Sequence, residues 1–185
     1  MHSRIKNYIK ESEGITEQVN YNTLVSVADH IKKCILQNNT IYACGNGGSA
    51  LCASHFVTDL AKMVHLKTDK NIRIVSLVDN IGLITAYAND VSYDSIFREQ
   101  LKNYSNPKDT LLAISGSGKS PNVVQAVKYA NANNLDVISF TGFSGGIIKD
   151  ISDISFHIPS NNMQIVEDLH VQALHILMRE LVGEL

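Results

Sequence analysis

The sequence predicts an α/β fold in which helices cover both faces of a parallel five-stranded sheet, doubly wound in the flavodoxin-like manner. Short apolar segments alternate along the chain with longer segments of helical periodicity. Most of these apolar segments are nearly continuous, as expected for strands buried on both faces. Two of them end in glycine- and serine-rich loops that lead into helices, which is typical of parallel sheets.

The N-terminal segment, about residues 1–38, is predicted to hold two helices, at 4–13 and 19–38. Apolar residues at helical spacing support the second helix: Leu24, Val27, Ile31 and Ile35. Strands are predicted at 40–44, 72–77, 109–114, 135–140 and 154–158. Helices are predicted between and after them, at about 50–64, 81–88, 93–104, 121–133 and 163–182. No linker or low-complexity tract interrupts the pattern, so we expect residues 1–185 to form one domain.

Composition and charge exclude several classes of protein. The chain is 44% hydrophobic and 18% charged, an ordinary globular balance. A formal net charge of −2 gives no electrostatic footprint for nucleic acid or an anionic membrane. No apolar run suits a membrane span or a signal peptide, so we expect a cytoplasmic protein. The three cysteines include no C-x-x-C pair, which argues against a disulfide framework, and we expect Cys44 to lie in the core.

Two loops are candidates for binding a phosphate: residues 45–49 (GNGGS, the first loop) and residues 115–120 (SGSGKS, the second loop). Each follows a predicted strand and opens a helix, where glycines allow close approach of the backbone to an anion. The helix N-terminus adds unpaired N–H groups, and serines add hydroxyl donors. One such loop is equally well explained by turn and N-cap chemistry, but two in one chain favour a phosphate monoester site.

Nucleotide binding is disfavoured by the spacing of the glycines. The second loop resembles the end of a Walker A motif, but Ala113 stands where that motif needs its first glycine. The first loop departs from the G-x-G-x-x-G pattern because Ala50 takes the last position, where alanine is only sometimes tolerated. No acidic residue closes the following strand at the usual ribose-binding place.

Histidines and carboxylates form a candidate metal or acid–base site. His55 and Asp59 are four residues apart and share a helix face. Glu167 and His175 lie on roughly the same side of the last predicted helix, whereas His170 points elsewhere. This set suits a divalent metal such as zinc, and it also suits the proton transfers of an enediol isomerisation. Each residue alone is equally explained as a surface group, and spacing does not place the two helices together.

Together these motifs resemble those of the phosphoheptose isomerases, a family of sugar isomerase (SIS) domain proteins. The match keeps its order and spacing from about residue 19 to the C-terminus. The matching residues are Cys44–Ala50, His55-Phe56, Thr85-Ala86, Asn89-Asp90, Ser115–Asn122, Phe140–Gly142, Pro159-Ser160, and Glu167 with His175. The resemblance implies an SIS-domain fold and the interconversion of sedoheptulose 7-phosphate and D-glycero-D-manno-heptose 7-phosphate.

The resemblance further implies a homotetramer with sites at subunit interfaces and one Zn²⁺ per subunit. By position, the implied substrate-binding residues are Asn46, Gly47, Gly48, Ser49, Asn89, Asp90, Ser115, Gly116, Ser117, Ser120 and Glu167. The implied metal ligands are His55, Asp59, Glu167 and His175. Asp59 and His175 are also the implied catalytic acid–base pair.

Three positions depart from the family's usual pattern: Asp59 replaces Glu, Glu167 replaces Gln, and Gly116 replaces Ser or Thr. Aspartate is shorter by one methylene, about 1.5 Å. A catalytic base displaced by about 1 Å can lose on the order of a hundredfold in rate. The leading hypothesis is an isomerase that supplies heptose for lipopolysaccharide or capsule. The alternatives are a non-catalytic phosphosugar-binding regulator or replication-initiator-associating protein, and an isomerase of another phosphosugar.

Overall fold

A computed structural model describes residues 3–68 and 70–185. The strands are β1 Thr40–Cys44, β2 Arg73–Ser76, β3 Thr110–Ser115, β4 Asp136–Thr141 and β5 Ile154–His157. The α-helices are α1 Ser3–Thr16, α2 Asn22–Leu36, α3 Gly48–Lys67, α4 Ile81–Asp90, α5 Ile96–Tyr104, α6 Pro121–Ala132, α7 Gly146–Ile151 and α8 Met163–Glu184. Within the described ranges, none of the helices combines the length and the apolar character needed to cross a bilayer.

The five strands form one parallel sheet in the order β2-β1-β3-β4-β5. This order confirms the predicted doubly wound, flavodoxin-like fold. The chain moves from β1 outward to β2 and from β3 outward to β4, so the order reverses between β1 and β3. Cys44 at the end of β1 is in register with Ala113 near the end of β3. The first and second loops therefore leave neighbouring strands at the switch point, where open α/β sheets bind ligands.

Apolar side chains on the two faces of the sheet form two cores. On one face, Ile41, Leu112 and Phe140 pack with residues of α2, α3 and α8. On the other, Tyr42 and Leu111 pack with residues of α5, α6 and α7. Successive strand residues point to opposite faces, so a strand buried on both sides needs an apolar residue at nearly every position. This requirement explains the continuous apolar segments of the sequence.

Two local features differ from the prediction. Residues 93–104, predicted as one helix, divide into a 3₁₀ turn at Tyr93–Ser95 and α5. The short α7 was not predicted, because its six residues, Gly146–Ile151, are too few to show helical periodicity. The remaining predicted elements end within three residues of the observed bounds.

The cysteines are free thiols in the interior, as the prediction of no disulfide framework required. Cys44 is fully buried in β1 and is part of the core. Burial raises the pKa of the Cys44 and Cys52 thiols to about 12. Both therefore stay protonated at neutral pH and act as small apolar side chains.

Candidate active site

The first loop turns tightly from β1 into α3. A Cβ at Gly45 would lie 2.7 Å from the Ser49 carbonyl and 2.9 Å from the Ile114 carbonyl oxygen, so only glycine fits there. Gly47 has φ +55° and precedes the first residue of α3, Gly48. Ser49 is buried, whereas Gly47 and Gly48 are exposed. The N–H groups of Ser49 and Ala50 donate to the Asn46 and Gly47 carbonyls, so the exposed backbone of Gly47 and Gly48 is the part of the turn that faces a ligand.

The second loop brings serine hydroxyls together at the start of α6. Ser115 Oγ accepts a hydrogen bond from Gly118 N–H at 3.2 Å and lies 3.3 Å from Ser120 Oγ. Ser117 Oγ accepts from Lys119 N–H at 3.2 Å. Helix α6 begins directly after Ser120, at Pro121. This arrangement of hydroxyls and a helix N-terminus suits a phosphate, and the exposed Lys119 supplies a cation in the same loop.

A third loop, residues 142–146, supports the second loop and was missed by the sequence reasoning. Gly142 N–H donates to the Gly116 carbonyl at 2.8 Å. Gly118 has φ +62°, and a Cβ there would lie 1.8 Å from the Gly145 carbonyl oxygen. The four glycines let the two loops pack backbone against backbone. The signal was present in the sequence as paired glycines after β4, the neighbour of β3.

Helices α3 and α8 bring His55, Asp59 and His175 together, and we call these residues the His/Asp cluster. His55 Nε2 lies 3.1 Å from Asp59 Oδ2 and 3.5 Å from His175 Nε2. His175 Nε2 lies 3.9 Å from Asp59 Oδ2. Lys62 Nζ lies 3.6 Å from the other Asp59 oxygen, Oδ1.

The His/Asp cluster fits a zinc ion by both chemistry and spacing. Two imidazole nitrogens and one carboxylate oxygen are ligands that zinc prefers. Tetrahedral ligands at about 2.0–2.1 Å from a metal are about 3.3 Å apart from one another. The three separations of 3.1, 3.5 and 3.9 Å bracket that value. Three protein ligands with one open position is the pattern of catalytic rather than structural zinc sites.

Glu167 does not join the His/Asp cluster of its own chain. Its carboxylate lies against the start of α3, where a Cβ at Gly48 would be 2.5 Å from Glu167 Oε1. His175 follows eight residues later on α8, about 12 Å along the axis at 1.5 Å per residue. Helices α3 and α8 therefore run side by side in the same direction, with Glu167 at the loops and the cluster about two turns beyond them.

The second loop lies still farther from the cluster. A Cβ at Gly116 would meet Met163 Sδ at 2.7 Å and Val166 Cγ1 at 3.6 Å. These two residues precede His175 by twelve and nine positions on α8, which corresponds to about 14–18 Å. In one chain the predicted phosphate site and the predicted acid–base pair are thus at different levels of α8.

Asn89 and Asp90 lie exposed at the end of α4, where Asn89 Nδ2 donates to Asp90 Oδ1 at 2.7 Å. The segment that follows reaches the first loop, because Tyr93 Oη donates to Asn46 Oδ1 at 3.1 Å. Asn46 also pairs with Asn122 at the start of α6. These contacts link the 3₁₀ turn after α4, the first loop and α6 at the carboxyl ends of the strands.

His170 points away from the cluster into the core. It is 1% exposed, and its Nε2 lies 3.2 Å from the Thr141 carbonyl oxygen, to which it donates. Its Nδ1 is buried without a hydrogen-bond partner among the described residues. Burial lowers the pKa of His170 to about 4, with a smaller lowering by the nearby His157 and an opposing rise from the hydrogen bond to Thr141. The imidazole is therefore neutral in the folded protein.

This burial predicts acid destabilisation. Between pH 6.5 and 4 the unfolded chain binds a proton at His170 that the folded chain does not, so stability falls as pH falls. The loss amounts to about 3 kcal/mol at pH 4, from a shift of about 2.5 pKa units. Urea unfolding at pH 7 and pH 4 measures this loss in the free energy of unfolding. His170→Phe removes the titrating group and should flatten the dependence, and an unchanged pH slope in this variant would contradict the assignment.

Comparison with known proteins shows consistent similarity. A family model described as SIS domain matches residues 7–142. A probable phosphoheptose isomerase of Thermoplasma acidophilum is 34% identical over 172 residues, 93% of this chain and 94% of the relative. A phosphoheptose isomerase of Shewanella sediminis is 35% identical over 94% of this chain and 86% of the relative.

Solved structures show the same similarity. A phosphoheptose isomerase from Neisseria gonorrhoeae superposes with a TM-score of 0.90 at 28% identity, covering 98% of both chains. One from Francisella tularensis has a TM-score of 0.92 at 26% identity and covers both chains completely.

Proposed function

The chain belongs to the phosphoheptose isomerase family of SIS-domain proteins, and we propose on that premise that it converts sedoheptulose 7-phosphate into D-glycero-D-manno-heptose 7-phosphate. The reaction is an aldose–ketose isomerisation, and its product feeds heptose into lipopolysaccharide or capsule. The observation that carries the proposal is the His/Asp cluster, in which residues 116 positions apart in sequence converge as acid–base and metal-binding groups.

The two loops hold the phosphate and the sugar hydroxyls of the substrate, and the reacting carbons lie at the His/Asp cluster. The phosphate binds the second loop through Ser115, Gly116, Ser117 and Ser120, at the start of α6. The sugar contacts the first loop through Asn46, Gly47, Gly48 and Ser49. Asn89, Asp90 and Glu167 provide further hydrogen bonds to sugar hydroxyls. The clustered hydroxyls of Ser115 and Ser120 and the start of α6 support this assignment, because such groups can bind an anion without a cluster of arginines.

Asp59 and His175 exchange the protons of the reaction. In the direction from ketose to aldose, a base removes a proton from C1 and an acid protonates O2, which gives an enediol. A proton is then delivered to C2 while the hydroxyl on C1 loses one, and the aldehyde forms. Two acid–base groups 3.9 Å apart suit this exchange between neighbouring carbons.

Zinc is part of the proposal. His55, Asp59 and His175 would hold the ion, and a bound Zn²⁺ would polarise the substrate carbonyl. An atom that binds the ion cannot take up a proton at the same time, so the protons would then be exchanged at the atoms left free, Asp59 Oδ1 and His175 Nδ1. Glu167, the fourth ligand implied by the family resemblance, lies about 12 Å away along α8 in the same chain. It completes the set only if it comes from another copy.

The distances favour a site shared between copies of the chain. An extended seven-carbon sugar phosphate measures about 10 Å from phosphorus to C1, at covalent bond lengths of about 1.5 Å. The second loop and His175 of one chain are about 14–18 Å apart along α8. The substrate is therefore too short to reach from the second loop to His175 within one chain. A homotetramer in which the second loop of one copy faces the His/Asp cluster of another would remove this difference in length. Leu51 and Ile176 are exposed apolar side chains on α3 and α8, the two helices that carry the cluster. They support the proposal that another copy of the chain covers this face.

Incubation of the purified, zinc-supplied protein with sedoheptulose 7-phosphate tests the activity, with NMR detection of the heptose product. Time-dependent formation of the aldose is expected.

A second candidate, phosphosugar binding without catalysis, is favoured by the short Asp59 and its pairing with Lys62. Ligand-induced thermal stabilisation without turnover would support that candidate and refute the isomerase. A panel of other sugar phosphates distinguishes an isomerase of different specificity.

A further inference from the structure

Three side chains connect the first loop to the start of α6. Asn46 Nδ2 donates to Asn122 Oδ1 at 2.8 Å, and Asn122 Nδ2 donates back to Asn46 Oδ1 at 2.8 Å. Tyr93 Oη donates a further hydrogen bond to Asn46 Oδ1 at 3.1 Å. We call this arrangement of Asn46, Asn122 and Tyr93 the clasp.

The clasp uses most of the hydrogen-bonding capacity of its two amides. A side-chain amide offers two N–H donors and an oxygen that accepts twice. Asn46 Oδ1 accepts from two partners and its Nδ2 donates once, so one N–H is left for a ligand. Asn122 is 1% exposed, and its Oδ1 also accepts from Val123 N–H at 2.9 Å. The amide of Asn122 is therefore directed at the protein rather than at a ligand.

The position of the clasp matters because it joins both binding loops. Asn46 belongs to the first loop, and Asn122 lies in the first turn of α6, whose N-terminus forms part of the second loop. A sugar phosphate that touches both loops needs them at a fixed separation, whereas a free phosphate needs the second loop alone. Geometric errors of about 1 Å cost roughly a hundredfold in rate.

We propose that the clasp sets the separation of the two loops for a sugar phosphate that contacts both of them. Asn122 and Tyr93 are then positioning residues for the isomerisation. The inference rests on the proposed function, because it assumes that phosphate binds the second loop and the sugar binds the first. Asn46 then acts mainly through its contact with Asn122. The chemistry of the reaction stays with the His/Asp cluster.

A double-mutant cycle tests the proposal through dissociation constants for sedoheptulose 7-phosphate and inorganic phosphate, measured by calorimetry. Asn46→Ala and Asn122→Ala should each weaken sugar phosphate binding by about tenfold or more. The double variant should resemble either single variant within about threefold, because the first change already breaks the contact. Affinity for inorganic phosphate should change by less than about threefold, since the second loop keeps its own hydrogen bonds.

Additive losses in the double variant would show that Asn46 and Asn122 act independently of each other, and would overturn the proposal. A parallel loss of inorganic phosphate affinity would overturn it as well.

Tyr93→Phe removes only an exposed hydroxyl and should lower kcat/KM by about threefold to tenfold. Asn131→Ala, which removes an exposed amide that donates to the Ile151 carbonyl, is the control and should leave both affinities unchanged. If native protein binds sugar phosphate without turnover, the proposed function fails while the cycle still reports on the clasp.

Discussion

Replacement of His175 with glutamine is expected to lower kcat for sedoheptulose 7-phosphate by about two to four orders of magnitude, the range measured for loss of a general acid–base group. Glutamine keeps a polar side chain of similar length, but it neither accepts nor releases a proton at neutral pH. In the proposed shared site the second loop and His175 lie at opposite ends of a substrate about 10 Å long, so the affinity for inorganic phosphate should stay unchanged. Steady-state kinetics and calorimetry give the two values.

His65→Gln is the matched control for this substitution. His65 lies exposed in the last turn of α3, outside the His/Asp cluster, so its variant should keep native kcat. The zinc content of both variants, measured by atomic absorption, separates loss of a ligand from loss of a proton carrier. A His175→Gln protein with more than about a tenth of native kcat would remove His175 from the proposed chemistry.

Replacement of Ser120 with aspartate is expected to weaken phosphate binding by at least about a hundredfold. The new carboxylate would lie among the hydroxyls of the second loop, 3.3 Å from Ser115 Oγ if it replaces Ser120 Oγ. Two like charges at about 4 Å repel by about 4 kcal/mol at an effective dielectric constant of 20. Aspartate is a favoured residue at helix N-termini, so the fold and α6 should be kept.

Ser120→Asn provides the control, because asparagine has the shape of aspartate without its charge. It should reduce phosphate affinity by less than about tenfold. In thermal melts, both variants should unfold at the same temperature as the native protein. Equal losses in the two variants would mean that shape rather than charge is responsible, and unchanged affinity in Ser120→Asp would place the phosphate elsewhere.

The fold could be predicted from sequence because its signals are local. Continuous apolar segments follow from strands buried on both faces, and glycine-serine loops mark the edge where parallel strands end. The pairing of His55 and Asp59 was also local, since four residues make one helical turn. Helix α7 was missed because it is too short to establish a period.

The parts that could not be predicted depend on contacts between distant elements. A helical wheel placed Glu167 and His175 on one side of α8, but a wheel discards the axial distance of about 12 Å between them. The pairing of Asn46 with Asn122 joins residues 76 positions apart, and no spacing rule connects them. The glycines of the third loop were visible in the sequence, but their packing on Gly116 and Gly118 needed the register of β3 and β4.

We propose that one substrate is held by the second loop of one copy and converted by the His/Asp cluster of another. Co-expression of Ser120→Asp and His175→Gln chains tests it, with mixed oligomers verified by native mass spectrometry. Sites shared between copies should recover about a quarter of native activity, because random assembly makes one site in four from two intact parts. Activity in the mixed oligomers no higher than in the single variants would contradict the claim and place loop and cluster in the same chain.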